Sequence, residues 1–153
     1  MSYRILFVTL ISLAPSAGEV SAQSDYTPKS GSSERQLICD AAREFVLSKY
    51  VINPLPQPIV FKIDHMRVQD RYCNFEAIPL FKDGAYVSTK YVPDIAFNFC
   101  LKKSGAEWKV VLDLSRTDVP DAAELRTIKR NFSPDFPVSL LSPTWRDLLN
   151  KSN

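Results

Sequence analysis

Histidine, cysteine and glycine are scarce in this sequence, whose 153 residues include one histidine, three cysteines and four glycines. With no CxxC pair and no second histidine, the chain has no zinc-ligand pattern. It has no GxSxG motif, and no serine or cysteine stands beside a credible base, which disfavours hydrolase chemistry. So few glycines leave no loop of the kind that cradles phosphates. We therefore predict no metal site, no cofactor and no catalytic residue.

A strong net charge is also missing, and so is an apolar run long enough to cross a membrane. The formal net charge is +2, and no acidic or basic run exceeds a few residues, so nucleic acid is not an expected partner. The apolar run at residues 5–13 is shorter than the roughly 20 residues that a bilayer requires. We expect no retained membrane segment.

The start of the chain has the pattern of a secretory signal peptide. Arg4 supplies a positive charge and the apolar run follows it. Val20, Ser21 and Ala22 then form the small-residue pattern that a signal peptidase accepts before Gln23. We predict that residues 1–22 are removed and that the product acts in the periplasm or as a secreted protein.

The part of the chain after this segment, about 130 residues, is enough for one domain with its own core. Residues 23–32 are polar, contain Pro28 and Gly31 and show no apolar period. This composition predicts an extended or mobile lead-in. Residues 33–150 are predicted to form a single domain, whose oligomeric state the sequence leaves open.

Residues 33–50 have the pattern of an amphipathic helix. Ser33 and Gln36 have the spacing of a capping box. Apolar residues then recur at helical spacing, namely Leu37, Ile38, Ala41, Ala42, Phe45 and Val46. The prolines at alternate positions of residues 53–58 prevent the helix from continuing and make a stiff connector.

Four strand patterns follow, at residues 59–69, 72–81, 95–103 and 107–115. In the first, the apolar positions change parity near Asp64 and His65, which predicts a bulge or bend. The fourth has one apolar face, made by Trp108, Val110, Leu112 and Leu114. Helix starts at Asp118 and Ser142 predict short C-terminal helices.

This order of elements predicts an α+β fold, in which a long N-terminal helix packs on a curved four-stranded antiparallel sheet and short C-terminal helices complete the domain. The arrangement looks like the cystatin-like or NTF2-like shape, in which a sheet wraps a helix and can leave a conical cavity. That likeness concerns the fold and carries no activity with it.

Six short blocks of the chain carry a family resemblance when they are read in order. They are residues 28–35, 38–43, 61–63, 66–68, 108–110 and 117–119. Together they resemble an uncharacterised family of small secreted proteobacterial proteins, which implies a periplasmic setting and no catalytic residue. Two departures from the family pattern, Cys73 after Tyr72 and Cys39 in place of an aliphatic residue, fit an added disulfide.

An oxidising compartment would allow one disulfide among Cys39, Cys73 and Cys100. The sequence alone does not choose the pair. Cys73 with Cys100 is the favoured pairing, and three inert thiols are the alternative, since free cysteine is commonly buried.

Three polar residues are candidates for a ligand or catalytic site. His65 is the only histidine, the residue type that titrates near neutral pH, and it lies at the suspected bulge, although a lone histidine is more often structural. Glu76 and Asp113 could face a cavity in an NTF2-like enzyme, where an apolar setting suits a carboxylate to abstract a proton. The alternative for both is the solvent-exposed face of the sheet.

A recognition surface is the other candidate site. The connection at residues 86–94, with Tyr86 and Tyr91, offers contact area at low entropic cost, and the proline connector loses little freedom on docking. Ordinary loops folded back on the core are the alternative. The leading hypothesis is a non-enzymatic accessory protein that binds another envelope macromolecule, for which a periplasmic protein is the candidate. A small-ligand or enzymatic cavity protein, and an immunity or inhibitor protein against a periplasmic toxin or hydrolase, are the alternatives.

Overall fold

The computed structural model describes residues 24–93 and 95–151. The predicted signal peptide, residues 1–22, lies outside them. The elements in chain order are α1 (Ser33–Lys49), β1 (Ile59–Gln69), β2 (Tyr72–Phe81), β3 (Phe97–Ser104), β4 (Glu107–Asp113), α2 (Ala122–Asn131), a 3-10 helix (Val138–Leu140) and α3 (Pro143–Asn150). None of the helices in the described part is both long and apolar enough to cross a membrane.

The four strands form one antiparallel sheet in the order β1-β2-β3-β4. This confirms the predicted α+β fold and its four-stranded antiparallel sheet, while the curvature of the sheet stays a prediction. The first helix has 17 residues and begins at Ser33, so it lies inside the chain rather than at its N terminus. Its N-cap is Ser32, one residue before the predicted cap, Ser33. The Ser32 hydroxyl accepts a hydrogen bond from the Arg35 amide at 3.3 Å.

The lead-in lies extended along the outer edge of β1. Tyr26 and Val68 exchange two backbone hydrogen bonds of 2.9 and 2.8 Å, and the Thr27 hydroxyl donates to the carbonyl of Met66 at 3.0 Å. These contacts attach residues 26 and 27 to the domain. Whether residues 23–32 are mobile in solution, as the sequence predicts, stays a prediction.

Helices cover both faces of the sheet. On the α1 face, Ile38, Ala42 and Val46 pack against strand residues that include Phe75 and Phe99, all of them fully buried. On the other face, called here the C-terminal face, α2, α3 and the 3-10 helix bury a second apolar cluster made by Tyr72, Cys100, Leu114, Leu125, Ile128, Phe136, Leu140, Leu141, Trp145 and Leu149. The sheet is therefore the middle layer of three.

Two bulges decide which side chains face each layer. The register of β1 with β2 shifts between Ile63 and His65, which confirms the bulge predicted there. A second shift, in the pairing of β3 with β4, leaves Val111 without a partner residue. As a result Trp108 and Val110 pack on the α1 face and Leu112 and Leu114 on the C-terminal face. The prediction that these four residues share one face is therefore wrong.

The predicted disulfide between Cys73 and Cys100 is also wrong, because all three cysteines are free. Cys73 pairs with Leu101 across the two strands, and Cys100 pairs with Asn74. The two cysteines are therefore offset by one residue, and in a pleated sheet that offset sends their side chains to opposite faces. Cys73 lies in the core under α1, and Cys100 lies in the cluster under the C-terminal helices.

This arrangement predicts the behaviour of the thiols. Burial raises the pKa of the Cys73 and Cys100 thiols, so both should resist alkylation by iodoacetamide at pH 8 in the native protein. In denaturant without a reductant, all three cysteines should be alkylated, as mass spectrometry would detect. Two thiols that react only after reduction would show that a disulfide forms and would contradict the structure.

Candidate functional site

Two of the predicted polar residues, His65 and Glu76, lie side by side on the C-terminal face. The bulge in β1 turns His65 to this face. There His65 pairs with Glu76 of β2, and Glu76 pairs with Asn98 of β3. These three side chains form a polar row across the sheet. Asn98 is buried, at 4% exposed, whereas His65 and Glu76 are half-buried, so the C-terminal helices cover the row only in part.

The polar row holds the C-terminal segment against the sheet. Glu76 Oε1 accepts from Asn98 Nδ2 and from Ser142 Oγ, each at 2.6 Å. His65 Nε2 donates to the carbonyl of Leu140 at 2.8 Å. Ser142 is the N-cap residue of α3, yet its hydroxyl serves Glu76 and makes no cap hydrogen bond to the helix. The row thus joins three strands to the start of α3, which is a structural role.

A surface cavity of about 320 Å³ lies beside this row. Its lining includes Glu76 and Asn98 from the sheet, Arg116 and Asp118 from the segment after β4, and Trp145 from α3. The volume is at the low end of the range for small-ligand sites. Within residues 24–93 and 95–151, no group of three or more histidine, cysteine, aspartate or glutamate side chains could hold a metal ion.

Asp113 lies apart from His65 and Glu76, on the α1 face. Its Oδ2 accepts from Lys49 Nζ at 2.6 Å and from the Tyr50 hydroxyl. Burial acts to raise the pKa of Asp113, but hydrogen bonds from Lys49, Tyr50 and Ser115 outweigh it and hold that pKa below its ordinary value. The three predicted polar residues therefore do not converge on one cavity, and Asp113 instead anchors the end of α1 to β4.

The two predicted recognition segments do come together. The proline connector precedes β1 and the aromatic loop follows β2, and the pairing of Ile59 with Phe81 places both at one end of the sheet. One hydrogen bond joins the two predicted segments directly, from Asn53 Nδ2 to the Lys90 carbonyl at 2.6 Å. Two more involve a residue just outside them: the Ile52 amide donates to the Tyr91 carbonyl at 2.9 Å, and Gln57 Nε2 donates to Asp83 Oδ2 at 3.2 Å. We call residues 51–58 and 82–93 together the loop surface.

Apolar side chains are exposed on the loop surface. Tyr86 is 67% exposed and Ile52 is 63% exposed, whereas Tyr91 packs edge-on against Phe81 with the ring centroids 5.9 Å apart. Tyr91 thus anchors the loop and Tyr86 is displayed on it. Sequence reasoning missed Ile52, because a single apolar residue between a helix and a proline segment has no periodicity to mark it. Asp94, the last residue of the predicted segment, lies outside the described residues.

Comparison with known proteins adds no relative, since no protein-family model, curated protein or solved structure matches this chain. The resemblance to small secreted proteobacterial proteins therefore stays a prediction.

Proposed function

We propose that this protein is a non-enzymatic periplasmic or secreted accessory protein that binds another envelope protein through the loop surface. The observation that carries the proposal is the exposure of Ile52 and Tyr86 on two segments that are hydrogen-bonded to each other. Because these segments are already held together, they lose little conformational freedom when a partner docks. Exposed tyrosine is also among the residues most enriched at the energetic centres of protein interfaces.

The packing of the α1 face supports binding over cavity chemistry. Phe75, Phe97 and Phe99 are fully buried between α1 and the sheet, and the ring of Phe45 lies 5.2 Å from that of Phe99. These aromatic rings occupy the region where an NTF2-like protein would carry a conical cavity.

Charge on the loop surface indicates the chemistry of the partner. Lys82 and Lys90 are exposed and form no ion pair with the described residues, while Asp83 accepts from Gln57. The surface therefore has apolar side chains beside two lysines, of which Lys90 also lies over the Tyr91 ring, with Nζ 5.4 Å from the ring centroid. A complementary partner would offer an apolar pocket with an acidic rim.

A double substitution, Ile52→Ser with Tyr86→Ser, tests this surface. Truncating two exposed apolar contacts at an interface should raise the Kd for the partner at least about tenfold. The measurement is affinity capture from a periplasmic extract, followed by titration of the captured protein, once purified, against the wild type and the double variant.

Val138→Ser is the matched control. Val138 is 45% exposed and lies on the 3-10 helix of the C-terminal layer, so its loss should leave binding unchanged. Thermal unfolding of both variants checks that they fold. Failure of the wild type to capture any protein, or equal affinity of the double variant and the wild type, would remove the loop surface as the interface.

A further inference from the structure

A second cavity, of about 480 Å³, opens at the outer edge of β1, beside the lead-in. Five consecutive residues of β1, residues 63–67, form one wall. The lead-in, the first turns of α1 and α3, and the end of the 3-10 helix supply the rest. The cavity is within the size range of small-ligand sites. It involves none of the residues of the loop surface.

Three arginines from three different elements line this cavity: Arg35 of α1, Arg67 of β1 and Arg146 of α3. The lining also contains two carboxylates, Asp25 and Asp64. With the histidine neutral, the lining therefore carries a net charge of +1. Among the described residues, only Arg67 of the three has a carboxylate as an ion-pair partner, namely Asp25.

The guanidinium groups are only partly used by the protein. Arg67 Nε donates to Asp25 Oδ2 at 2.8 Å, and Arg35 Nη1 donates to the Pro28 carbonyl at 3.2 Å and to Met66 Sδ at 3.8 Å. The side chain of Arg146 has no hydrogen bond or ion pair with the described residues. Each of the three arginines therefore keeps N–H donors without a partner in the described part of the chain.

His65 adds a further polar group to the wall of the same cavity. Its Nε2–H donates to the Leu140 carbonyl at 2.8 Å, so in the neutral ring the other nitrogen, Nδ1, carries no proton and acts as an acceptor, not as a donor to an anion. Ile63 supplies a partly exposed apolar side chain, whereas Met66 and Leu141, which also line the cavity, are only 3% and 0% exposed. The cavity thus combines the N–H donors of three arginines with a small apolar surface, a composition that suits a small anion.

We propose that this cavity binds a small molecule bearing an oxyanion, either a carboxylate or a phosphate group, between Arg35, Arg67 and Arg146. The planar fork of an arginine matches the two oxygens of such a group and binds it through charge-assisted hydrogen bonds. Asp25 already occupies one nitrogen of Arg67 in this manner. A small ligand fits better than a polyanion, because Asp64 at the rim and the low net charge of the chain oppose an extended negative surface.

The test is an NMR titration of the purified protein, with inorganic phosphate in one experiment and succinate in another. At least one anion should bind saturably, with a Kd on the order of 1 mM or tighter, and should shift the amide signals of residues 63–67. Saturation by phosphate alone would assign a phosphate ligand, and saturation by succinate alone a carboxylate ligand. Either result supports the site. Absence of saturable binding by both anions would overturn it.

Arg146→Gln should weaken that binding about tenfold or more, because a charge-assisted contact is lost. The variant should fold normally, since Arg146 is exposed and its side chain supports no other residue. Arg126→Gln is the matched control, because it removes the same charge from an exposed position on α2, away from the cavity. Equal weakening by the two substitutions would show that the anions respond to net charge and would overturn the site. The result is independent of the capture experiment on the loop surface.

Discussion

Replacing Phe99 by alanine should lower the free energy of unfolding by about 3–5 kcal/mol, the largest effect we expect from a single substitution in this protein. Phe99 is fully buried at the centre of the α1 face. Its ring centroid lies 5.2 Å from that of Phe45, 5.5 Å from that of Phe97 and 6.3 Å from that of Phe75. The substitution removes apolar burial and three aromatic contacts, and it leaves a cavity between a helix and a sheet that cannot collapse freely.

Urea denaturation followed by circular dichroism would measure this loss, with two variants as controls. Phe99→Leu keeps most of the apolar volume and should cost less than about 2 kcal/mol. Tyr86→Ala removes an exposed ring and should change stability by no more than about 0.5 kcal/mol. A cost for Phe99→Ala as small as that of Tyr86→Ala would mean that the α1 face is loosely packed. In that case the cavity hypothesis would return.

Glu76→Leu should be the next most damaging change, with an expected loss of about 2–4 kcal/mol. Glu76 Oε1 is the acceptor for two donors, Asn98 Nδ2 and Ser142 Oγ, and both of these residues are buried. Leucine has a similar size but no acceptor, so it would leave two buried donors unsatisfied. The cost of an unmade buried hydrogen bond is the full desolvation of the orphaned group.

Glu76→Gln keeps a hydrogen-bond acceptor at this position and removes the negative charge. Its side-chain carbonyl can accept from the same two donors, so this variant should lose about 1 kcal/mol or less. Hydrogen exchange adds a local measurement, because amides of α3 should lose protection in Glu76→Leu and keep it in Glu76→Gln. If both variants were as stable as the wild type, the polar row would not hold the C-terminal segment to the sheet. Glu76 would then be free for a role in the neighbouring cavity.

The secondary structure could be predicted well because its signals are local. The parity change around Asp64 was visible in the pattern of apolar residues, and the bulge lies there. The bulge at Val111 was not visible, because Val111 is itself apolar and a bulge of this kind leaves no break in hydrophobicity. The start of α2 was misplaced for a similar reason. Its N-cap is Asp121, which forms a capping box with Glu124, and a preceding Asp118 gives the same sequence signal three residues earlier.

The candidate sites were predicted less completely than the elements. Tyr86 and Tyr91 were identified from composition, but only the fold distinguishes the exposed ring from the one that packs on Phe81. His65 and Glu76 were identified as polar residues in strands, and the register of β1 with β2 places them side by side. Arg35, Arg67 and Arg146 had no sequence signal in common, since they lie on three elements that only tertiary packing brings together.

By itself the sequence determined the type and order of the elements, because helical and strand periodicities, prolines and caps act over a few residues. The tertiary structure alone decided which face each strand residue occupies, since strand register and bulges depend on pairing between distant segments. It therefore placed Cys73 and Cys100 on opposite faces, where no disulfide can join them. It also brought together the loop surface and the arginine cavity, because a binding site of this kind is made of side chains that are neighbours in space and not along the chain.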